Sequence, residues 1–291
     1  MTPDLNKQLI TPQAQLIALR PYLFKIAYNM TGMVDEAEDI VHDVYEKWLK
    51  TPRPEVENLK AYLGRMVVNQ SINRLKEIKA LREQYTGYWL PEPYITSEIK
   101  PEQPSIDFGL LMLLERLNPM ERAVFMLRES FSEEYATIAG LTGQSEENCR
   151  QLLHRSREKI RSAISRPVEP DKHRALTEAF LMALHQQDRS ALEGILRHDI
   201  ELYSDGGGKK AAALKPIFGI GKVLKFLLGV AKLEKDSGET YTYLPGYFNG
   251  HPATLLFNSA QQLDSAFTIE YDDQGISTLL YVRNPDKLRI R

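Results

Sequence analysis

The sequence predicts a multidomain protein: two all-α domains, the second a helix-turn-helix, followed by an α+β domain. Apolar residues recur at helical spacing through residues 11–82 and 107–165, and runs rich in β-branched and aromatic residues come only after residue 171. Residues 83–106 contain four prolines and no clear periodicity, so we expect a linker there and a shorter joint at 166–170. A chain of 291 residues is long enough for two or three domains with their own cores.

Composition limits the classes of protein that this chain can belong to. It has 43% hydrophobic and 26% charged residues and a net charge of −2, and nucleic-acid binding stays open because the placement of charges decides it. The single cysteine, Cys149, excludes an internal disulfide and a cysteine-based zinc site and favours a reducing cytoplasm. We find no signal peptide, no membrane-spanning apolar run and no phosphate-binding loop. We therefore expect no membrane association, no metal and no cofactor.

The first block contains an amphipathic helix predicted over Val34–Leu49. One side is an apolar stripe, made of Ala37, Ile40, Val41, Val44, Trp48 and Leu49. The other side is an acidic ridge, made of Glu36, Asp39, Asp43 and Glu46. Like charges at these spacings repel each other, so the ridge is either a solvated face or a site for a cationic partner.

The next helix has the opposite charge. Six basic residues lie between Lys60 and Arg82, against the single acid Glu77. One face is formed by Arg65, Asn69, Asn73 and Lys76. Asparagines can hydrogen-bond to base edges and basic side chains neutralise phosphates, so this face favours nucleic-acid binding. Trp48 and Tyr62 could stack on an unpaired base, although core packing is the simpler interpretation of both.

Residues 132–164 are typical of a helix-turn-helix. We expect Ser132 to cap the first helix, Gly143 to form the turn and Ser145 to cap the second helix. The second helix is apolar on one side and carries basic and amide groups on the other: Arg150, Gln151, His154, Arg155, Arg157 and Arg161. This layout is that of a helix that enters a DNA major groove, and an ordinary helical hairpin with a solvated face is the alternative.

Upstream of this motif, Asn118-Pro119-Met120-Glu121 predicts a helix start, with a cap, a proline at the first position and a glutamate at the third.

Residues 11–165 resemble a bacterial sigma factor of the extracytoplasmic-function type. One stretch resembles conserved regions 2.1 and 2.2: LRPYLFKIAYNMTGMVDEAEDIVHDVYEKWL. A second stretch resembles regions 2.3 and 2.4: NLKAYLGRMVVNQSINRLK. Region 4 is resembled by LLERLNPMERAVFMLRESFSEEYATIAGLTGQSEENCRQLLHRSREKI. The three stretches come in family order and are separated by a linker of suitable length.

The resemblance implies roles for the charged helices. The acidic helix would dock on core RNA polymerase through Asp35, Glu36, Asp39, Asp43, Glu46 and Trp48. The basic helix would hold the opened minus-ten element of promoter DNA through Lys60, Arg65, Asn69, Asn73, Arg74 and Lys76. The second helix of the helix-turn-helix would read the minus-thirty-five element through Arg150, Gln151, His154, Arg155 and Arg157.

Residues 171–291 exceed what a minimal sigma factor of this type needs. Helices are predicted over His173–Gln187, Ser190–Leu196 and Val223–Leu233. Strands are predicted over Thr240–Leu244, Ala253–Phe257, Ala266–Tyr271 and Ser277–Val282. Helices that lead into a curved antiparallel sheet resemble the cone of the nuclear transport factor 2 superfamily, which includes SnoaL-like polyketide cyclases.

Three short motifs extend the resemblance. They are Trp89-Leu90-Pro91-Glu92-Pro93 in the linker, Asp205-Gly206-Gly207-Gly208-Lys209 after the first strand of the last domain, and Asn284-Pro285-Asp286-Lys287-Leu288 at the end. In this order they are similar to the motifs of sigma factors with a fused SnoaL-like extension, and the resemblance implies that the extension controls the sigma domains. The alternative for the second motif is a flexible glycine turn, and the alternative for the third motif is a turn that ends the last strand.

Three hypotheses for the last domain remain open: control through protein contacts, sensing of a small-molecule ligand, and catalysis. Residues that could line a pocket are His185, His198, Tyr203, Tyr241, Tyr243, His251 and Asp264. The sequence favours a transcription initiation factor, not an enzyme, that binds core RNA polymerase and promoter DNA. A DNA-binding regulator with a ligand-sensing domain is the alternative, and an isomerase or cyclase with a helical appendage is a third class.

Overall fold

The computed structural model describes residues 12–50, 56–100, 103–160 and 169–291, which form two compact units. The helical unit consists of the described residues up to Lys76 and of Leu117–Glu158. The C-terminal unit consists of Glu77–Arg116 and the described residues from Lys159 onward. Arg161 and most of the joint expected at 166–170 lie outside the described residues.

The secondary structure follows the predicted order of helices and strands and adds two strands of two residues each that the sequence did not predict. The helices are α1 (Pro12–Thr31), α2 (Val34–Lys50), α3 (Leu59–Arg82), α4 (Phe108–Leu113), α5 (Pro119–Glu129), α6 (Tyr135–Thr142), α7 (Glu146–Ile160), α8 (Pro170–His185), α9 (Arg189–Ile195) and α10 (Ile220–Ser237). The strands are β1 (Ile95–Thr96), β2 (Leu196–Asp205), β3 (Ile217–Phe218), β4 (Thr242–Phe248), β5 (His251–Phe257), β6 (Leu263–Asp272) and β7 (Gly275–Val282).

The helical unit packs helices from both all-α blocks of the chain against each other. α1 packs on α2 and also on α5, which comes from the second block. Arg122 of α5 is fully buried, and its Nε donates a hydrogen bond to the backbone oxygen of Asn29 in α1 at 2.9 Å. Because a buried guanidinium requires acceptors, this bond fixes how the two helices meet.

Helix ends in this unit follow the capping signals, with one exception. Asn118 and Glu121 form the predicted capping box of α5, and Gly143 ends α6 at a φ of 70°. The Ser145 hydroxyl accepts a hydrogen bond from the backbone N–H of Asn148 at 3.2 Å, as predicted. The prediction for Ser132 is wrong: α6 has Glu134 at its N-cap and begins at Tyr135, and Ser132 lies in a preceding turn at a φ of 53°.

The C-terminal unit is an α+β domain with a mixed sheet. Its strand order is β1-β4-β5-β6-β7-β2-β3. Neighbouring strands are antiparallel except for β2 and β7, which are parallel because the β4–β7 meander returns beside β2 in the same direction. Side chains of α8, α9 and α10 share one core with β2, β5, β6 and β7, so these helices cover the sheet.

The linker contributes to this sheet, which the sequence did not predict. Ile95 and Thr96 form β1 and pair with Phe248 and Tyr247 of β4. The segment expected to be a tether is therefore part of the C-terminal unit. None of the helices in the described ranges combines the length and apolar character that a bilayer crossing requires.

Candidate functional site

The acidic ridge of α2 is largely exposed. The sequence indicated that its like charges would repel each other, but three of its four acids have partners within the helical unit. Glu36 is half-buried and pairs with Arg74 of α3 through two hydrogen bonds, one of them 2.9 Å long. Asp43 accepts a hydrogen bond from Gln70 at 2.7 Å. Glu46 pairs with Lys50 one turn away. Much of the expected repulsion is thus relieved within the helical unit.

Trp48 lies in the core, as its place on the apolar stripe of α2 predicted. Its side chain is 9% exposed, and its ring centroid is 5.5 Å from that of Tyr62. The pair therefore packs α2 on α3. Asp35 and Asp39 are exposed on the same helix and are accessible to a partner.

The predicted DNA-binding face of α3 is solvent-exposed with one exception. Its exposed members are Lys60, Arg65, Asn69, Asn73 and Lys76. Arg74 differs, because it is half-buried and its guanidinium is engaged by Glu36. Four side chains at helical spacing, Arg65 through Lys76, offer two cations and two amides along one side of the helix.

The helix-turn-helix presents its second helix as the sequence predicted. The exposed residues of α7 include Arg150, Gln151, His154, Arg155 and Arg157. The opposite side is buried, and the Ser156 hydroxyl there donates to the backbone oxygen of Glu121 at 3.2 Å. Arg150 pairs with Glu146 at 3.0 Å and Arg157 with Glu129 at 2.6 Å. Exposed pairs of this kind are worth little, so both arginines can exchange a carboxylate for a phosphate.

The three short motifs meet in one cluster of the C-terminal unit, which we call the linker anchor: Tyr85, Trp89, Leu90, Asp205, Asn284 and Lys287. The buried carboxylate of Asp205 is its centre. Its Oδ1 accepts from the Tyr85 hydroxyl at 2.6 Å, and its Oδ2 accepts from the backbone N–H of Leu90 at 2.9 Å. The Tyr85 hydroxyl in turn accepts from the Asn284 amide at 2.8 Å.

Lys287 neutralises the anchor. Its ammonium donates to Asp205 Oδ2 at 2.6 Å and to the backbone oxygen of Leu90. It lies 4.2 Å from the ring centroid of Trp89, whose ring also contacts the guanidinium of Arg82 at 3.3 Å. Burial lowers the pKa of Lys287 to about 8, although the Asp205 carboxylate acts in the opposite direction. A buried carboxylate and a buried ammonium each need the other here.

The glycine run of the second motif is required by close contacts in the anchor. A Cβ on Gly207 would lie 2.5 Å from Cγ of Asn284, and Gly207 has a φ of 62°. A Cβ on Gly206 would lie 2.1 Å from the backbone oxygen of Lys210. The next residue, Lys209, pairs with Asp286 at 2.6 Å at the exposed edge of the cluster. The glycines therefore permit the loop to approach the third motif.

Contacts outside the linker anchor hold the rest of the linker. Glu92 is buried and accepts a hydrogen bond from Arg291 at 2.9 Å. The backbone N–H of Tyr94 donates to the Asn249 side chain at 2.9 Å, and the Asn249 amide donates to the backbone oxygen of Ile106 at 3.0 Å. The linker is thus bound to the C-terminal domain at several points along its length.

Sequence reasoning missed three of these residues, Tyr85, Asn249 and Arg291. Asn249 and Gly250 form an Asn-Gly pair between two strands, which predicts a hairpin turn but not a side chain that binds a distant linker. No local signal identified Tyr85 or Arg291. In the described ranges, no three His, Cys, Asp or Glu side chains come together in a way that could hold a metal ion.

Of the residues expected to line a pocket, Tyr241 and Tyr243 line a cavity in the C-terminal unit, and Asp264 lies beside it through its partner Arg283. His251 lines a small cleft with Asp107 and His173 instead.

Two family models match this chain. One describes sigma-70 region 2 and matches residues 16–80, and the other describes sigma-70 region 4 and matches residues 108–160. The ECF RNA polymerase sigma factor SigJ of Mycobacterium tuberculosis is 29% identical over 292 residues, which cover 93% of this chain and 91% of SigJ. The probable ECF RNA polymerase sigma factor SigI of the same species is 34% identical over 187 residues, which cover 62% of this chain and 64% of SigI.

A solved structure agrees with these matches. The crystal structure of the extracytoplasmic function sigma factor SigJ of Mycobacterium tuberculosis superposes with a TM-score of 0.75 and 26% identity, covering 94% of this chain and 97% of SigJ. A SnoaL-like protein of unknown function from Burkholderia thailandensis covers 40% of this chain, with a TM-score of 0.32 and 12% identity.

Proposed function

Because the chain carries the sigma-70 region 2 and region 4 domains and is homologous to an extracytoplasmic-function sigma factor, we propose that it directs promoter-specific transcription initiation under the control of its own C-terminal domain. It binds core RNA polymerase through α2 and reads a two-part promoter through α3 and α7. Its functional parts are residues 11–82, the linker 83–106, residues 107–165 and the control domain 171–291. The chain works by binding and not by catalysis, as its sigma-factor homologues do.

The polymerase and DNA roles rest on exposed charge of opposite sign. Asp35, Asp39 and Asp43 are exposed on α2 and would meet a basic surface of the polymerase. The cations and amides of α3 would hold the opened strand, and those of α7 would enter a major groove. The regulator that acts without polymerase is disfavoured, because a simple repressor has no use for the acidic face.

Control by the C-terminal domain rests chiefly on the Asp205 carboxylate, which bonds to two linker groups and to Lys287 at once. The first helix within the region 4 match is held too, since Phe108 of α4 packs on Phe248 with ring centroids 5.1 Å apart. A fused domain acts at a high effective concentration, so this bound state dominates until something opposes it. Release of the linker would change the spacing that the two DNA-binding regions can adopt on the polymerase.

The initiation function is tested by in vitro transcription with purified core polymerase on a promoter library. The full chain should form a complex with core and produce specific transcripts. The double variant Asp39→Lys/Asp43→Lys should lose core binding while keeping its circular dichroism, and Asp171→Lys/Asp273→Lys is the control with the same charge change elsewhere. Equal co-purification of both double variants with core enzyme would show that the docking assignment is wrong.

The control function is tested separately with Trp89→Ala. This variant removes the ring between Arg82 and Lys287, so it should change transcript yield and expose the linker to protease. Met182→Ala truncates an exposed apolar side chain of the same domain and is the control. Identical yields from wild type and both variants, at matched protein levels, would leave the C-terminal domain as a passive passenger.

A further inference from the structure

The C-terminal unit contains a cavity of about 410 Å³ that the proposed function leaves without a role. It lies between the second half of α10 and the strands β2, β6 and β7. This volume is within the range of pockets that bind small organic molecules. Leu233 lines the cavity and is 70% exposed, so an apolar side chain stands where the cavity meets solvent.

The wall of the cavity is mainly apolar and aromatic. Aliphatic and phenyl side chains come from α8, α10 and β2, and include Leu184, Leu202, Phe226, Leu227 and Val230. Three tyrosines complete the wall: Tyr241, Tyr243 and Tyr281. No residue in the described ranges hydrogen-bonds the hydroxyls of Tyr241 and Tyr243. The rings offer electron-rich faces and the two hydroxyls offer polar groups that the domain itself leaves unused.

One carboxylate at the cavity has no direct partner among the residues that the structure describes, although the charges around the cavity balance. Asp264 accepts from Lys210 at 2.7 Å and from Arg283 at 3.1 Å, so one acid is shared by two cations. Glu234 lines the cavity, and none of the residues that the structure describes forms a hydrogen bond or ion pair with its carboxylate. Burial is the main cause that raises the pKa of Glu234, and Arg283 acts in the opposite direction. A half-buried carboxylate among apolar side chains and tyrosines is stabilised by a bound cation.

We propose that this cavity binds an organic cation: an amine with an aromatic or branched apolar body, whose ammonium group lies against Glu234 and the tyrosine rings. An apolar body would replace water along the aliphatic wall. The ammonium would gain an ion pair with Glu234 and cation–π contacts with tyrosine. A carboxylate ligand of the same shape would be repelled by Glu234, and the Arg283 guanidinium in the wall is already paired with Asp264, so we expect such a ligand not to bind.

Occupancy of the cavity would act on the linker anchor, an extension that rests on the proposed control function. Ala211 and Arg283 line the cavity, and the Arg283 guanidinium donates to the backbone oxygen of Ala211 at 3.0 Å. The backbone N–H groups of Arg283 and Asn284 both donate to the backbone oxygen of Asp205. The cavity wall and the anchor therefore share two backbone segments, so a ligand that shifts these segments changes the hold on Trp89 and Leu90.

Binding is tested with three probes of one shape and three charges: 1-naphthylmethylamine, 1-naphthalenemethanol and 1-naphthoate. Isothermal titration calorimetry on the full chain should show tightest binding for the amine and no binding for the carboxylate. Glu234→Gln should weaken binding of the amine roughly tenfold, which is the loss expected for one hydrogen bond to a charged group. The same variant should bind the alcohol with unchanged affinity. Asp236→Asn removes an exposed charge of α10 outside the cavity wall and is the control.

Failure has three clear forms in this titration. The proposal is overturned if the amine does not bind at millimolar concentration, if naphthoate binds as tightly as the amine, or if Glu234→Gln and Asp236→Asn behave alike. None of these outcomes depends on polymerase or DNA, so they are separate from failure of the sigma-factor function.

The effect on the linker is measured by fluorescence. The chain has two tryptophans, and Trp48→Phe leaves Trp89 as the reporter. Saturating amine should shift the Trp89 emission and alter the rate at which protease cuts the linker, and Glu234→Gln should need roughly tenfold more amine for the same shift. Calorimetric binding with unchanged emission and unchanged proteolysis would refute the coupling and leave the binding site standing.

Discussion

The exposed charged faces of α2, α3 and α7 and the buried linker anchor use the same kinds of charged residue in opposite ways. Arg157 and Glu129 pair at 2.6 Å with side chains that are 56% and 35% exposed, whereas Lys287 and Asp205 pair at the same distance with side chains that are 6% and 0% exposed. Exposed pairs contribute little and exchange partners readily. A buried pair is costly to break, because the remaining charge has no water to solvate it. A single charge on an exposed face can therefore be removed with little loss of stability, whereas each charge of the anchor requires its partner.

The largest expected effect follows from removing one charge of the anchor. Lys287→Met leaves the Asp205 carboxylate buried without its cation, which should lower the free energy of unfolding of the C-terminal unit by about 3–5 kcal/mol. Chemical denaturation measures this loss. The double variant Asp205→Asn/Lys287→Met should recover part of it, since the buried charge is then absent. A single variant within about 0.5 kcal/mol of wild type would contradict the interdependence of the anchor.

A smaller loss of stability is expected when one methyl group is added to the glycine run of the second motif. Gly207→Ala places a Cβ against Asn284 at a positive φ, which should cost about 1–3 kcal/mol and loosen the linker. Gly221→Ala is the control in the same unit, because it has open space and ordinary backbone geometry. Denaturation and limited proteolysis compare the two variants. Equal stability of both would show that the loop does not need its close approach to the third motif.

A pH dependence of stability is expected from Glu270. Burial, followed by the nearby charges of Asp107 and Glu201, raises the pKa of Glu270 to about 8. Between the ordinary pKa of 4.5 and about 8 the folded state binds a proton that the unfolded chain lacks, so stability is full below the ordinary pKa and is lost as pH rises through 8.

The isosteric variant Glu270→Gln stays neutral and should flatten this dependence. At pH values above 8 it should be more stable than wild type by at least about 1.4 kcal/mol, the equivalent of one pKa unit. Denaturation of both proteins across this range gives the difference, in which other titrating groups cancel. Parallel curves for the two proteins would show that Glu270 has an ordinary pKa.

The smallest effect on stability is expected at α7, the second helix of the helix-turn-helix. Arg157→Ala breaks an exposed pair, so the free energy of unfolding should change by less than about 1 kcal/mol. Promoter affinity should fall by a similar factor for all sequences and depend less on salt, as for a lost phosphate contact.

Arg150→Ala should instead relax preference at one or two upstream positions, with about 1–3 kcal/mol lost per base contact. Footprinting on a promoter-variant library separates the two, and an unchanged preference and affinity in both would contradict the assignment of α7.

The sequence by itself determined the helices, their exposed faces and the outline of the C-terminal fold. The face of Arg65, Asn69, Asn73 and Lys76 and the capping box of Asn118 rest on contacts within a few residues, which periodicity and cap chemistry describe directly. The three motifs were also recognisable as motifs, although their geometry was not.

Only the tertiary structure decided which side chains meet. Asp205 is 115 residues from Leu90 and 82 residues from Lys287, and no periodicity relates positions so far apart. The same holds for the pairing of Arg74 with Glu36 and for the pairing of β1 with β4. Ser132 failed as a cap because the turn before α6 placed it at a positive φ. Local sequence patterns predict which secondary structure a segment prefers. Which distant side chains pair is decided by burial, because buried polar groups must form hydrogen bonds.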